Sequence, residues 1–282
     1  MPTIYELYES VLRESEYARV NEVALRALIC DIQGYSEMSD FYLRNDEKVV
    51  DLPLFLAHLA RFLNGEPYQY IIQKATFLNH DFFVDSRVLI PRMETEEVVK
   101  QAISIINERH DSRAITIADV ATGSGVIGIT LKRAFPNAKV YASDISEEAL
   151  KVADINIRKH NVDISILQGD VLEPFLFSGI KIDVLVANPP YITNLQEIAP
   201  DVIKYEPYLA LVDHEELGFY KKVFQMYKAV CNYPFIMLFE IGHDMRGKIE
   251  TLANSMIPRS QREIIKDING KDRILSIYIE GE

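Results

Sequence analysis

Cysteine is scarce in this sequence of 282 residues: it has 2, Cys30 and Cys231, far apart along the chain. No metal-binding spacing and no disulfide framework can be built from such a pair, so both are expected as ordinary thiols in a reducing compartment, and no metal is expected. Positive charge is also short, with 30 Lys and Arg against 42 Asp and Glu for a net charge of -12. Nothing looks like a broad basic face, which argues against a partner gripped through its phosphates and so against direct nucleic-acid binding. No stretch approaches the roughly 20 apolar residues of a membrane span. The first residues lack a basic segment followed by an apolar run, so no secretory signal is expected. Internal repeats and low-complexity tracts are missing. The cytoplasm is the expected setting, and a protein or small molecule the expected substrate.

What is present is an ordinary globular balance: 48% hydrophobic, 26% charged and 10% aromatic residues, enough to bury a core in one large domain or two modest ones. Residues 3–65 show helical spacing of apolar side chains, as in Leu7, Val11 and Leu12 or Leu54, Phe55, Leu59 and Phe62. Breaks fall at Gly34, Pro53 and Asn64-Gly65. Residues 77–90 are rich in aromatic and β-branched types around a polar Asn79-His80-Asp81 break, which predicts a hairpin. Helical periodicity returns over 94–106.

From residue 114 strands and helices alternate. Strands are expected at 115–120, 139–144, 163–167, 182–187 and 235–240, with helices to about 134 and over 147–159, 219–230 and 245–254. Residues 264–268 and 274–279 close the chain as two strands around Asn269-Gly270. Such repetition predicts an α/β fold, a mostly parallel sheet covered by helices on both faces, with the last hairpin antiparallel at or near one edge.

Between the first of these strands and its helix lies Asp119-Val120-Ala121-Thr122-Gly123-Ser124-Gly125-Val126-Ile127-Gly128. Its G-x-G-x-x-G spacing allows a tight turn that a ligand can approach closely, and Gly128 lets helix and strand pack closely. Asp144, about 20 residues on, ends the next strand, where a carboxylate can accept from two ribose hydroxyls. Dinucleotides and S-adenosylmethionine both use such a site. Asp119 suits an amine-binding role or simply finishes its strand.

Asn188-Pro189-Pro190-Tyr191 follows the apolar strand at 182–187. Ligands of open parallel sheets bind beyond the carboxyl ends of the strands, which predicts this tetrapeptide beside the glycine turn. An amide or aromatic amine nitrogen is a poor nucleophile that carries two N–H donors. The Asn188 side-chain oxygen and the Pro189 carbonyl can accept those two hydrogens and stabilise positive charge developing on nitrogen. Pro190 and Pro189 stiffen the loop, and Tyr191 offers a flat face to a planar group. No general base is required, because the proton becomes acidic once the methyl arrives; direct in-line transfer is the simplest mechanism.

With these residues in view, the sequence resembles the release factor glutamine methyltransferase family over nearly its whole length. The segments that carry the resemblance are Gly65-Glu66-Pro67 with Tyr70, Phe83-Val84, Leu89-Ile90-Pro91-Arg92-Met93-Glu94-Thr95-Glu96, the glycine turn, Asn188-Pro189-Pro190-Tyr191, Tyr205-Glu206-Pro207 with Leu209-Ala210-Leu211, and Glu240-Ile241-Gly242. The resemblance implies a helical N-terminal substrate-recognition domain over 1–75, a β-hairpin linker over 76–92, and a Rossmann-like S-adenosylmethionine-dependent methyltransferase domain over 93–282, with a mostly parallel seven-stranded sheet. It implies as substrate the glutamine of the Gly-Gly-Gln loop of class 1 peptide chain release factors. Carried over by position, Ala121, Thr122, Gly123, Ser124 and Gly125 contact the methionine part of the cofactor, Asp144 its ribose, and Asp170 and Val171 its adenine. Asn188, Pro189, Pro190 and Tyr191 hold the glutamine, with Asn188 also near the methyl. Thr95 and Glu96 shape the mouth of the site, a role that capping the following helix would not exclude.

Two positions depart from the family pattern. Met93 stands where proline is usual, and residues 212–218 lack paired glycines and are one residue shorter. That loop is expected outside the core chemistry, with His214 a solvated loop residue. Among rivals, a DNA adenine-N6 methyltransferase shares the Asn-Pro-Pro-Tyr logic, but the net charge of -12 opposes it. A ribosomal protein glutamine methyltransferase differs mainly in its N-terminal domain and after Pro91-Arg92, where Glu94-Thr95-Glu96 favours the release factor enzyme. A nicotinamide-dependent dehydrogenase leaves the tetrapeptide without a role. A non-enzymatic adaptor leaves the methyl site without one.

Overall fold

A computed structural model describes residues 1–109, 114–194, 196 and 198–281, and they form two compact units. The smaller unit is Met1–Lys74 together with Ala199–Tyr205. It contains α1 (Ile4–Glu14), α2 (Glu16–Val20), α3 (Glu22–Gln33), α4 (Asp40–Leu43), α5 (Leu52–Leu63) and α6 (Tyr68–Ile71). Local chemistry sets the ends. Thr3 and Glu6 cap α1 reciprocally, the Thr3 hydroxyl accepting from Glu6 N at 3.1 Å and the Glu6 carboxylate from Thr3 N at 2.8 Å. Pro53 sits in the first turn of α5 behind its Asp51 cap, so this proline starts a helix rather than breaking one. Leu25, Leu28, Ile29, Phe55 and Phe62 fill the core of the unit.

The larger unit is Ala75–Ile198 with Glu206–Glu282. Its first element is a hairpin, β1 (Ala75–Phe77) and β2 (His80–Phe82), shorter than the sequence predicts and turned one residue earlier. Leu78 and Asn79 take the turn with φ of 45° and 62°, a left-handed pair whose leucine gives no turn signal. Beyond it, the Asn156 side chain replaces a strand partner for Phe83, accepting from its N–H at 2.7 Å and donating to its carbonyl at 2.9 Å.

Then follow α7 (Met93–Arg109), β3 (Thr116–Val120), α8 (Val126–Ala134), β4 (Lys139–Asp144), α9 (Glu147–Lys159), β5 (Ser165–Gln168), α10 (Glu173–Ser178), β6 (Ile182–Ala187), α11 (Pro200–Tyr205, within the smaller unit), α12 (Tyr208–Leu211), α13 (Gly218–Val230), β7 (Cys231–Glu240), α14 (Arg246–Met256), β8 (Gln261–Lys266) and β9 (Asp272–Ile279). The seven-stranded sheet has the order β5-β4-β3-β6-β7-β9-β8. Its first five strands are parallel, while β9 runs antiparallel beside β7 and carries β8 at the edge. This is the expected Rossmann-like arrangement with its antiparallel C-terminal hairpin.

Every residue of β6 is buried, because helices cover both faces. Leu185 and Ala187 join Met237 and Phe239 under α13 and α14, while Val184 and Val186 join Ile236 and Leu238 under α7 and α8. Alternation along the central strands thus divides one apolar run between two cores. Among the described residues, no helix is long and apolar enough to cross a membrane.

Candidate active site

The carboxyl ends of β3, β4 and β6 open onto a cavity of about 350 Å³. The glycine turn forms its floor. Ala121, Gly123 and Gly125 all have left-handed backbones, with φ of 59°, 54° and 84°. A Cβ on Gly123 would stand in open space, so its absence leaves room for a ligand against the backbone. Gly128 serves packing instead, since a Cβ there would come within 3.0 Å of the Asp119 carboxylate.

Two carboxylates hold the turn. Asp119 is fully buried, and its Oδ2 accepts from the Thr122 hydroxyl at 2.5 Å and from Gly128 N at 2.8 Å. Burial pushes its carboxyl up to about 7, against those two bonds. It does not line the cavity, so the amine-binding alternative gives way to an internal brace. Asp144 does line it. Its oxygens accept from Gly123 N and Ser146 N, each at 2.9 Å, and burial raises its pKa.

Ala121, Thr122, Gly123, Ser124, Asp144, Asp170, Val171, Asn188, Pro190 and Thr95 all line this one cavity. Gly125, Pro189 and Tyr191 stand behind the lining. The Tyr191 ring packs on the core beneath α13, and its hydroxyl points toward Glu240 Oε1 at 3.4 Å. Burial, and then the Glu240 charge, push this phenol up to about 12. Glu96 lies away from the cavity; its carboxylate accepts from Leu78 N at 2.9 Å and steadies the hairpin turn. Thr95 is buried in the first turn of α7, where its hydroxyl donates to Glu240 Oε2 at 2.6 Å instead of capping the helix. Met93 is the exposed first residue of that helix, a position that suits proline and methionine alike.

The 212–218 loop corrects the sequence reading. Val212, Asp213, His214 and Glu215 line the cavity. The loop is tied to the residue after Tyr191, with Ile192 N donating to Leu211 O at 3.2 Å and Asp213 N to Ile192 O at 3.0 Å. Asp213 closes it by accepting from Glu215 N and Gly218 N, and Leu217 takes the left-handed backbone, φ 62°. A short loop held this way turns without paired glycines.

Three residues were given no role by the sequence, although Arg92 and Glu240 lie in segments that carry the resemblance. Lys222 on α13 pairs with Asp170 and shares its part of the cavity wall. Arg92 donates to the buried Glu206 at 2.5 Å, 114 residues away in sequence. Glu240, 2% exposed, receives Thr95 and Tyr191 on its carboxylate and the Tyr220 hydroxyl on its backbone carbonyl at 2.9 Å.

A mostly parallel sheet carrying a glycine turn and an Asn-Pro-Pro-Tyr loop at the ends of its strands fits a class of methyltransferases, and the family model described as "Methyltransferase small domain" matches residues 95–228. A methyltransferase from Pyrococcus furiosus shares the fold, with a TM-score of 0.51 at 17% identity over 81% of this chain and 100% of that one. The release factor glutamine methyltransferase of Staphylococcus aureus is 40% identical over 77% of this chain and 78% of its own length. That of Bacillus subtilis is 38% identical over 81% of each. The chain belongs to the release factor glutamine methyltransferase family.

Proposed function

We propose that this protein methylates the side-chain amide nitrogen of a glutamine in a protein substrate, the Gly-Gly-Gln glutamine of class 1 peptide chain release factors, with S-adenosylmethionine as methyl donor. The observation that carries the reading is that Gly123 and Asn188 line a single cavity. Bound there, S-adenosylmethionine supplies an electrophilic methyl on a positively charged sulfur and leaves as S-adenosylhomocysteine.

The residues present fit such a donor. Open space over Gly123 accommodates the methionine part, with Ala121, Thr122 and Ser124 around it and Gly125 completing the turn. Asp144 faces the cavity while accepting from the Gly123 and Ser146 backbones, and its remaining acceptor capacity suits a ribose hydroxyl. Asp170 and Val171 border the adenine end.

Asn188 Oδ1 accepts one amide hydrogen of the substrate glutamine and aims its nitrogen, and the carbonyl of Pro189, a residue that does not itself line the cavity, is proposed to accept the second. The same acceptors stabilise the charge that grows on nitrogen as the new bond forms, and the proton then leaves to solvent. Pro190 holds the loop in shape, and Tyr191 supports it from behind. Thr95 works through Asn188, while Glu96 acts at a distance by steadying the hairpin. The N-terminal helices would recognise the release factor, and the setting is the cytoplasm.

Methyl-labelled S-adenosylmethionine tests the reading with three acceptors: purified release factor, the same factor with the loop glutamine changed to alanine, and DNA. Label in the first alone is expected. Label on DNA alone overturns the substrate assignment.

A further inference from the structure

Asn188 can serve as an acceptor only if its oxygen, and not its NH2, faces the substrate. A carboxamide is nearly symmetric in shape, so packing alone does not choose between its two orientations. Hydrogen bonding has to choose.

The choice is made behind the loop. Asn188 Nδ2 donates to Thr95 Oγ1 at 3.0 Å, and Thr95 Oγ1 donates to Glu240 Oε2 at 2.6 Å. Thr95 and Glu240 are buried, at 3% and 2% exposure. An ionised carboxylate only accepts, and a threonine hydroxyl has a single hydrogen. Once Glu240 claims that hydrogen, Thr95 can only accept from Asn188. The neighbouring carboxamide must then turn its NH2 inward, which leaves Oδ1 for the cavity that Asn188 lines.

We infer that Thr95 and Glu240 are positioning residues that set the polarity of the Asn188 carboxamide, making it an acceptor for a group with two N–H donors. This inference rests on the reading of Asn188 as part of the amide clamp. The carboxylate is itself held in place. Tyr191 reaches its Oε1 and Tyr220 donates to the backbone carbonyl of the same residue; burial raises the Glu240 pKa, and the Thr95 hydroxyl, the Arg273 guanidinium and the Tyr191 hydroxyl act against that rise. Reversed, Asn188 would point N–H at N–H, and the clamp would repel the amide it has to hold. A primary amide and an exocyclic amine both offer two donors, so this device selects the donor pattern; the shape of the substrate must be read elsewhere.

Paired substitutions separate polarity from shape. Thr95→Val keeps the outline and removes the hydroxyl, whereas Thr95→Ser keeps the hydroxyl and removes a methyl. With release factor as substrate, Thr95→Val is expected to lower kcat at least about tenfold while S-adenosylhomocysteine affinity stays within about twofold, and Thr95→Ser is expected to stay within about threefold of wild type. Glu240→Ala should lower kcat in the wild-type background but add nothing in Thr95→Val, since both act through one hydroxyl. The opposite order, with Val active and Ser impaired, makes Thr95 a packing residue and overturns the inference. So do additive losses in the cycle. Asn188→Ala is the control for the clamp: wild-type turnover there sinks the reading of the loop, whereas an inactive Asn188→Ala beside a fully active Thr95→Val sinks only the relay. Urea unfolding of each folded variant separates these losses from instability, and the two Thr95 variants decide the matter without Glu240→Ala if that one fails to fold.

Discussion

Asp119 and Gly128 meet edge to edge: the Gly128 N–H donates to Asp119 Oδ2 at 2.8 Å, and any Cβ on Gly128 would stand 3.0 Å from that same oxygen. Strand β3 and helix α8 are thereby drawn together at the root of the cavity, and the missing side chain is what permits the bond.

Gly128→Ala is therefore expected to destabilise the protein by about 1–3 kcal/mol, the usual cost of crowding a packed interior. The same change should loosen the turn and weaken S-adenosylhomocysteine binding. Urea unfolding and titration calorimetry measure the two effects, and a fully stable, tight-binding variant would show that the contact has slack.

Asp119 also gives the fold a pH dependence of defined sign. Its carboxyl is raised from 3.8 to about 7 by burial, so the folded state holds the proton more tightly than the unfolded chain. The stability this contributes is complete below pH 3.8 and is lost as pH rises through about 7. Asp119→Asn keeps an acceptor for Thr122 and Gly128 and cannot ionise. Relative to wild type it should gain about 2–3 kcal/mol between pH 5 and pH 8, at about 1.4 kcal/mol per pH unit inside the window. Urea midpoints at those two pH values test this, and parallel curves would mean that Asp119 ionises normally.

Arg92 and Glu206 form an ion pair in which the glutamate side chain is 1% exposed and the arginine 36%. Glu206 Oε2 also accepts from Ile90 N at 3.2 Å, so it fastens the stretch that leads into α7. Arg92→Ala leaves that carboxylate buried with one partner fewer and is expected to cost about 1.5–3 kcal/mol. Glu206→Gln should recover much of the loss in the Arg92→Ala background, because an amide needs no counter-charge there. If the double variant is no more stable than the single one, the charge is not what matters.

Asp144 both braces Gly123 and faces the cavity, and its loss should appear mainly in cofactor affinity. Asp144→Ala is expected to weaken S-adenosylhomocysteine binding at least about tenfold, the equivalent of one charged hydrogen bond. Calorimetry at fixed pH reads this directly. Unchanged affinity would mean that the ribose is not among its partners.

Periodicity and spacing made the sheet unit legible from one sequence. The strand patterns at 115–120, 182–187 and 235–240, the glycine turn and the carboxylate 21 residues beyond Gly123 are local, and local patterns survive in one dimension. Gly123, Asp144 and Asn188 were found this way, because each sits at a strand end that the fold rule brings to one mouth, whereas Ala121, Thr122 and Ser124 were named through the family resemblance; all six line the cavity.

Only the folded chain could decide the rest, since it depends on partners far apart in sequence or on backbone states that the residue type conceals. Leucine gives no sign of a left-handed turn, yet Leu78 and Leu217 each occupy one. The segment Ala199–Tyr205 lies between sheet elements in sequence but groups with the N-terminal helices, where Lys204 and Tyr205 both donate to Asn64 O at 2.9 Å. Nothing local marks Glu240 as standing behind Asn188, because Thr95, 145 residues before Glu240, is what joins them. The sequence by itself determined which chemistry the chain is built for, as the reacting groups need particular residue types at short spacings. Tertiary structure decided how those groups are held and turned, because orientation is a property of the hydrogen bonds behind them, and those are closed only when the sheet is.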